Sequence, residues 1–226
     1  MLASHKIEYQ WNWASIWEYR EKFYQGWLMT LFISVISLLL SFVFALIFLL
    51  LKKSKIELFN VITEFWIQLI RGTPLLVQIL IFYYIIGTAL HIENRFWVSV
   101  IILSNFSAAY MSEILRASLE SLPRDHWETA RSFGMSTTQS LRYVIFPQVM
   151  RLSLPGLAGQ LCSLVKDSSL LSIIAVSEFS LNAQEVNAIT YNTLESYIPL
   201  AFGYLLITLP ITLISKQLEN NMDYAG

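Results

Sequence analysis

Long uncharged apolar runs alternate with short charged stretches along this chain. From Trp27 to Leu51, 25 successive residues carry no charge, and about 20 apolar residues in a helix suffice to cross a ~30 Å hydrocarbon core. Further apolar stretches lie at about 58–88, 96–115, 152–176 and 196–215. The pattern predicts an all-α integral membrane protein with five transmembrane helices. Within the first span, Thr30, Ser34, Ser37 and Ser41 recur at steps of four, three and four, which places them on one helix face. A row of small hydroxyl residues lets a second helix approach closely, so the stripe is read as a helix contact.

Composition agrees with a membrane chain. Of 226 residues 55% are hydrophobic and 14% charged, and the mean hydropathy is +0.54; a soluble domain carries about a quarter charged residues. The net charge of −1 says little, but the placement of charge is informative. Nine basic residues (Lys52, Lys53, Lys55, Arg116, Arg124, Arg131, Arg142, Arg151, Lys216) fall on one side of the expected spans and four (Lys6, Arg20, Lys22, Arg95) on the other. The basic side is cytoplasmic by the positive-inside rule, which puts the N-terminus out and the C-terminus in. Residues 1–26, with Trp11, Trp13, Trp17, Tyr19, Phe23 and Tyr24, read as an external interfacial segment with rings at headgroup depth. They do not resemble a cleaved signal. The permease body would span 27–218, and 219–226 would form a cytoplasmic tail. Cys162 is the sole cysteine, so no disulfide forms within the chain.

Several spans contain residues that lipid would not tolerate. Arg71, Gly72 and Pro74 interrupt the second; the glycine and proline would bend it, and the freed backbone needs a protein-lined surrounding. Arg71 either forms a structural pair or snorkels, or it faces a translocation path. In the third span Asn105 lies among small residues suited to close contact, and Glu113 and Arg116, three apart, are read as a pair. The fourth span holds Lys166 and Asp167 followed by Ser168. Neighbours on a helix point about 100° apart, so each charge needs another partner or a polar path. Residues 177–195 are amide-rich without Lys or Arg and read as an outer loop with a short helix. Pro199, Gly203 and Pro210 favour kinks in the last span.

The segment 118–150 is polar and basic. Glu128, Ala130, Gly134 and V-I-F-P (144–147) stand at a spacing that resembles the EAA loop of permease subunits of ATP-binding-cassette importers. R-G-T-P-L-L-V-Q (71–78), A-Y-M-S-E-I-L-R-A (109–117) and K-D-S-S-L (166–170) are similar to runs of the polar amino-acid branch of that family. Thr129 stands where alanine is usual, and Phe146 where leucine is common. The resemblance covers about 26–218 and implies a cytoplasmic helix–turn–helix whose residues Glu128, Thr129, Ala130, Arg131 and Gly134 couple to a separate ATPase. It further implies a second permease subunit, identical or not, an external substrate-binding protein, and alternating access in a bacterial inner membrane. A polar amino acid would pass along a path to which Arg71, Asn105, Lys166, Asp167 and Ser168 are candidates.

Other classes find little support in the residues. No G-x-x-x-x-G-K-[ST] run is present, so ATP and Mg²⁺ would be bound by the partner chain and this chain would hold no cofactor. No H-E-x-x-H or G-x-S-x-G run occurs, and His5, His91 and His126 lack metal-ligand spacing. The reading is therefore a transport subunit without enzymatic activity of its own. An ion-coupled secondary transporter would also place charges in spans, but it gives no reason for the EAA spacing. Nothing in the sequence selects the amino acid carried.

Overall fold

The computed structural model describes residues 11–223 except 90 and 93; the first ten residues of the expected interfacial segment and the last three of the tail lie outside that range. Helix α1 (Trp13–Glu18) leads into α2 (Arg20–Lys52), which begins well before the uncharged run. Helices α3 (Glu57–Arg71) and α4 (Leu75–Ile81) follow, the latter continuing as a π-helical turn to Gly87. Asn94 caps α5 (Arg95–Ser121) by accepting from the Phe96 and Trp97 amides. Helices α6 (Asp125–Ser132) and α7 (Thr137–Ser140) form the connecting segment. A π-helical turn then enters α8 (Phe146–Asp167), which tightens into a 3₁₀ run to Ile174. Helices α9 (Phe179–Thr190) and α10 (Thr193–Asp223) complete the described chain.

Among the described residues, four helical stretches are long and apolar enough to span a membrane: Arg20–Lys52, Arg95–Ser121, Thr137–Ile174 and Thr193–Gln217. The stretch expected as one span at 58–88 is instead two helices bent by 109° at Gly72–Pro74. Proline cannot donate to the α3 ladder, and a Cβ at Gly72 would lie 2.8 Å from the Gln68 carbonyl. The break is mended by the buried Gln78, whose Nε2 donates to the Ile70 carbonyl at 2.7 Å and to Thr73 Oγ1 at 2.8 Å. The stretch expected at 152–176 starts much earlier, because the helix runs on from Thr137 through Pro147 at its N-terminal turn. Pro199 and Pro210 lie inside α10, which remains helical across both.

The hydroxyl stripe of α2 is the main seam of the bundle. Thr30, Ser34, Ser37, Ser41 and Ala45 are all buried, and Ser37 meets α5, its carbonyl accepting from Ser104 Oγ at 3.2 Å. Close approach of this kind supplies van der Waals contact, which is what associates helices in lipid. The opposite face exposes Phe32, Val35, Leu39, Val43, Ile47 and Leu50, as a lipid-facing side requires. One core cluster joins Ile33, Ile79, Leu103 and Leu171. Another joins Ala45, Met111, Leu115, Ile145 and Val149. A third, of Ile16, Phe23, Phe179 and Val186, fastens α1 and α9 to the bundle.

Candidate coupling segment and charge sites

Helix α6 starts three residues after α5 ends. Asp125 and Glu128 occupy its first turn and Arg131 its last, the order that the helix dipole favours. Ala130 is buried, and Trp127 packs against the cluster containing Ile145 and Val149. Glu128, Thr129 and Arg131 are exposed. The helix therefore seats one edge on the π-helical turn and presents the other outward.

Its end is sharply defined. Gly134 has φ +75° with open space around it, its amide donates to the Arg131 carbonyl at 2.9 Å, and the Met135 amide donates to the Ala130 carbonyl at 3.2 Å. This pair of bonds is a Schellman closure, which needs a left-handed residue at the glycine position. Ser136 then caps α7 in a reciprocal box with Gln139. Phe133, between the two helices, is 78% exposed. The result is a rigid helix–turn–helix with a polar, aromatic outer surface.

The remaining candidates separate into two groups. Arg71 forms an ion pair with Glu113 at 3.4 Å and lies over the Tyr110 ring at 5.4 Å, while Asn105 accepts from Trp66 Nε1 at 3.1 Å. Lys166 is exposed and Asp167 half-buried where the α-helix gives way to the 3₁₀ run. Neither side chain has a hydrogen bond or ion pair among the described residues. Ser168 is buried, its hydroxyl donating to the Val165 carbonyl at 2.8 Å. Among the described residues no hydrogen bond or ion pair joins Arg71 or Asn105 to Lys166, Asp167 or Ser168.

Two features escaped the sequence reading. Glu113 meets not only Arg116 but also Lys52 Nζ, at 2.7 Å, from α2. Glu178, fully buried just before α9, accepts from the Ser180 and Leu181 amides at 2.9 and 2.8 Å and from Tyr204 Oη at 3.1 Å. Thr30 Oγ1 approaches it at 3.4 Å. Burial pushes the Glu178 carboxyl above its ordinary range, and the two amides and the hydroxyls partly oppose that shift. A lone acidic residue before an apolar helical run is an N-cap signal, and it was hidden here by the amide-rich surroundings.

Residues 54–224 match the family described as binding-protein-dependent transport system inner membrane component, and the chain belongs to that family. It is 36% identical over 195 residues to the L-cystine transport system permease protein TcyB of Bacillus subtilis, covering 86% of this chain and 83% of that one. To the glutamine transport system permease protein GlnP of Escherichia coli it is 33% identical over 216 residues, covering 94% and 98%. A crystal structure of an amino acid ABC transporter with histidines superposes with a TM-score of 0.86 at 30% identity, covering 94% of this chain and all of that one.

Proposed function

We infer that this chain is the translocation subunit of an ATP-driven importer for a polar amino acid. The observation that carries the reading is α6 in its setting: an exposed helix, closed by a left-handed glycine, within a chain of the importer family. Relatives named for cystine, glutamine and arginine transport support the substrate class. The four long spans, with the bent α3–α4 pair taken as one broken span, are read as five crossings, with the N-terminus out and the α6 side facing the cytoplasm of a bacterial inner membrane. Two such subunits, identical or related, enclose the path, because a gated route for a zwitterion needs more walls than five helices supply. Glu128, Thr129, Ala130, Arg131 and Gly134 form the element that docks on the ATPase, which binds ATP and Mg²⁺. A binding protein delivers substrate from outside.

Asp167 and Lys166 line the path beside Ser168. A carboxylate within a span costs at least ~2.5 kcal/mol on insertion scales, and neither side chain has a hydrogen bond or ion pair among the described residues, so a substrate ammonium and carboxylate are suitable counter-groups. Arg71 and Asn105 are engaged by Glu113, Tyr110 and Trp66 and serve the helix contacts of α3 and α5. Closure of the ATPases moves α6, and the helices above rock between inward and outward openings.

Reconstitution of the complete complex in proteoliposomes tests this reading. ATP inside the ATPase-accessible compartment and binding protein on the opposite side should both be required for uptake of a polar amino acid. Uptake driven by an ion gradient without ATP would establish the secondary-transporter alternative instead.

A further inference from the structure

The three-residue link between α5 and α6 places the end of α5 next to the docking helix, and two turns before that end stands Glu113. Its oxygens take Lys52 of α2 at 2.7 Å, Arg71 of α3 at 3.4 Å, and Arg116 of α5 at 3.0 Å. The pairing extends further. Lys52 also meets Glu64 of α3 at 2.5 Å, Glu64 accepts from Gln68 Nε2, Arg116 pairs with Glu120, and Lys53 reaches Glu120 at 3.3 Å. One charged network therefore ties three helices together at the level where the docking segment joins.

The apolar attachment of helix α3 is a small cluster of Ile67, Ile70 and Ala109 with Phe48, Trp66 and Phe106 packed against them. The Trp66–Asn105 bond supplements it, and the helix exposes Leu58, Phe59, Val61, Ile62 and Phe65. The C-terminal residue of α3, Arg71, is also the last before the 109° bend, so its attachment to Glu113 and Tyr110 sets where α4 starts. A polar cavity of about 370 Å³ opens among Lys52, Glu64, Glu113, Arg116 and Glu120. Water there lowers the cost of the charges while leaving their mutual geometry in place.

We propose that Glu113 is a positioning residue that makes α2, α3 and the inner end of α5 move as one body with α6. It takes no part in binding substrate or nucleotide; it delivers displacement of the docking helix to α2 and α3, and through Arg71 to the bend that carries α4. This rests on the reading of α6 as the ATPase-docking element. A purely local stabilising pair would give Arg116 alone as partner, whereas Glu113 draws cations from two other helices.

The test uses the whole reconstituted complex. In Glu113→Gln, complex assembly and ATP hydrolysis should persist while amino acid taken up per ATP hydrolysed falls about tenfold, within the usual range of coupling between sites. An unchanged ratio overturns the proposal. A second measurement does not depend on that variant folding. Lys53→Cys with Glu120→Cys in a Cys162→Ser background is bridged by a short bis-maleimide. Uptake that survives bridging shows α2 and α5 moving together, and uptake abolished by bridging shows that they shift against each other, which also overturns it. Failure of the ATPase to co-purify with the unsubstituted chain would instead count against the docking reading and leave the two outcomes separate.

Discussion

Glu113 and Glu178 are two acids drawn into the helix bundle far apart along α2, and they are held by different means. Their α2 partners, Lys52 and Thr30, stand 22 residues apart in the sequence, about 33 Å along a helix. Glu113 is surrounded by cations, its side chain 14% exposed beside a polar cavity. Glu178 is fully buried and meets only dipoles: two amides, a threonine hydroxyl and a tyrosine hydroxyl. A hydrated charge network can hold long side chains from several helices without excluding water. A dry dipole cage demands one geometry of α2, α9 and α10. The Lys52 end of α2 is thus tied to two other helices by charges, and the Thr30 end is fixed by a dry cage of dipoles.

Removing the two supports should expose that difference. Glu178→Ala should have the largest effect, since it orphans the Ser180 and Leu181 amides and leaves Tyr204 Oη with Ser180 Oγ as its partner, at about 1–3 kcal/mol for a buried unsatisfied group. A fall in melting temperature and in complex yield is the expected readout. Lys52→Met should cost less, about 2 kcal/mol for a lost bond to a charged group, with Arg71 and Arg116 still neutralising Glu113. If Lys52→Met proves as damaging as Glu178→Ala, the charged network depends on each partner as heavily as the dipole cage does.

A smaller effect concerns pH. Burial raises the Glu178 carboxyl above its ordinary 4.5, so the folded chain holds that proton more tightly than the unfolded one. Its contribution is complete below the ordinary value and is lost as pH rises through the raised one. Melting temperature should therefore decline with rising pH more steeply in the unsubstituted chain than in Glu178→Gln. Parallel slopes would show that the cage holds the carboxylate as readily as the acid. The smallest change should come from Lys53→Ala. That residue and Glu120 are about half exposed, and an exposed pair is worth about 0.2–1 kcal/mol.

The sequence made some of this architecture legible and concealed the rest for identifiable reasons. Uninterrupted apolar length announced the spans, and the 4–3–4 spacing of Thr30, Ser34, Ser37 and Ser41 marked the face that became the α2–α5 seam. Gly72 and Pro74 marked the break, but its 109° angle depends on Gln78 reaching back to Ile70 and Thr73, which no local pattern contains. The spacing of Glu128, Ala130 and Gly134 outlined α6, and the left-handed φ at Gly134 is what a glycine at a helix end foretells. Arg116 was visible as a partner of Glu113 because helical neighbours can be counted. Lys52, Glu64 and Arg71 were not, since they arrive from helices distant in sequence. For the same reason no local pattern placed Glu113 and Tyr110 beside Arg71.

Entry of the ATPase's energy through α6 is the claim on which the transport reading depends, and Gly134→Val tests it most directly. The site has open space but φ +75°, a conformation costing an ordinary residue about 1–2 kcal/mol and a β-branched one more. The Schellman closure should be lost and the end of α6 re-aimed while the spans stay intact. Membrane insertion and permease assembly should match the unsubstituted chain, and ATP-dependent uptake in proteoliposomes should fall at least about tenfold. Unchanged uptake with normal ATPase co-purification would contradict α6 as the point of entry.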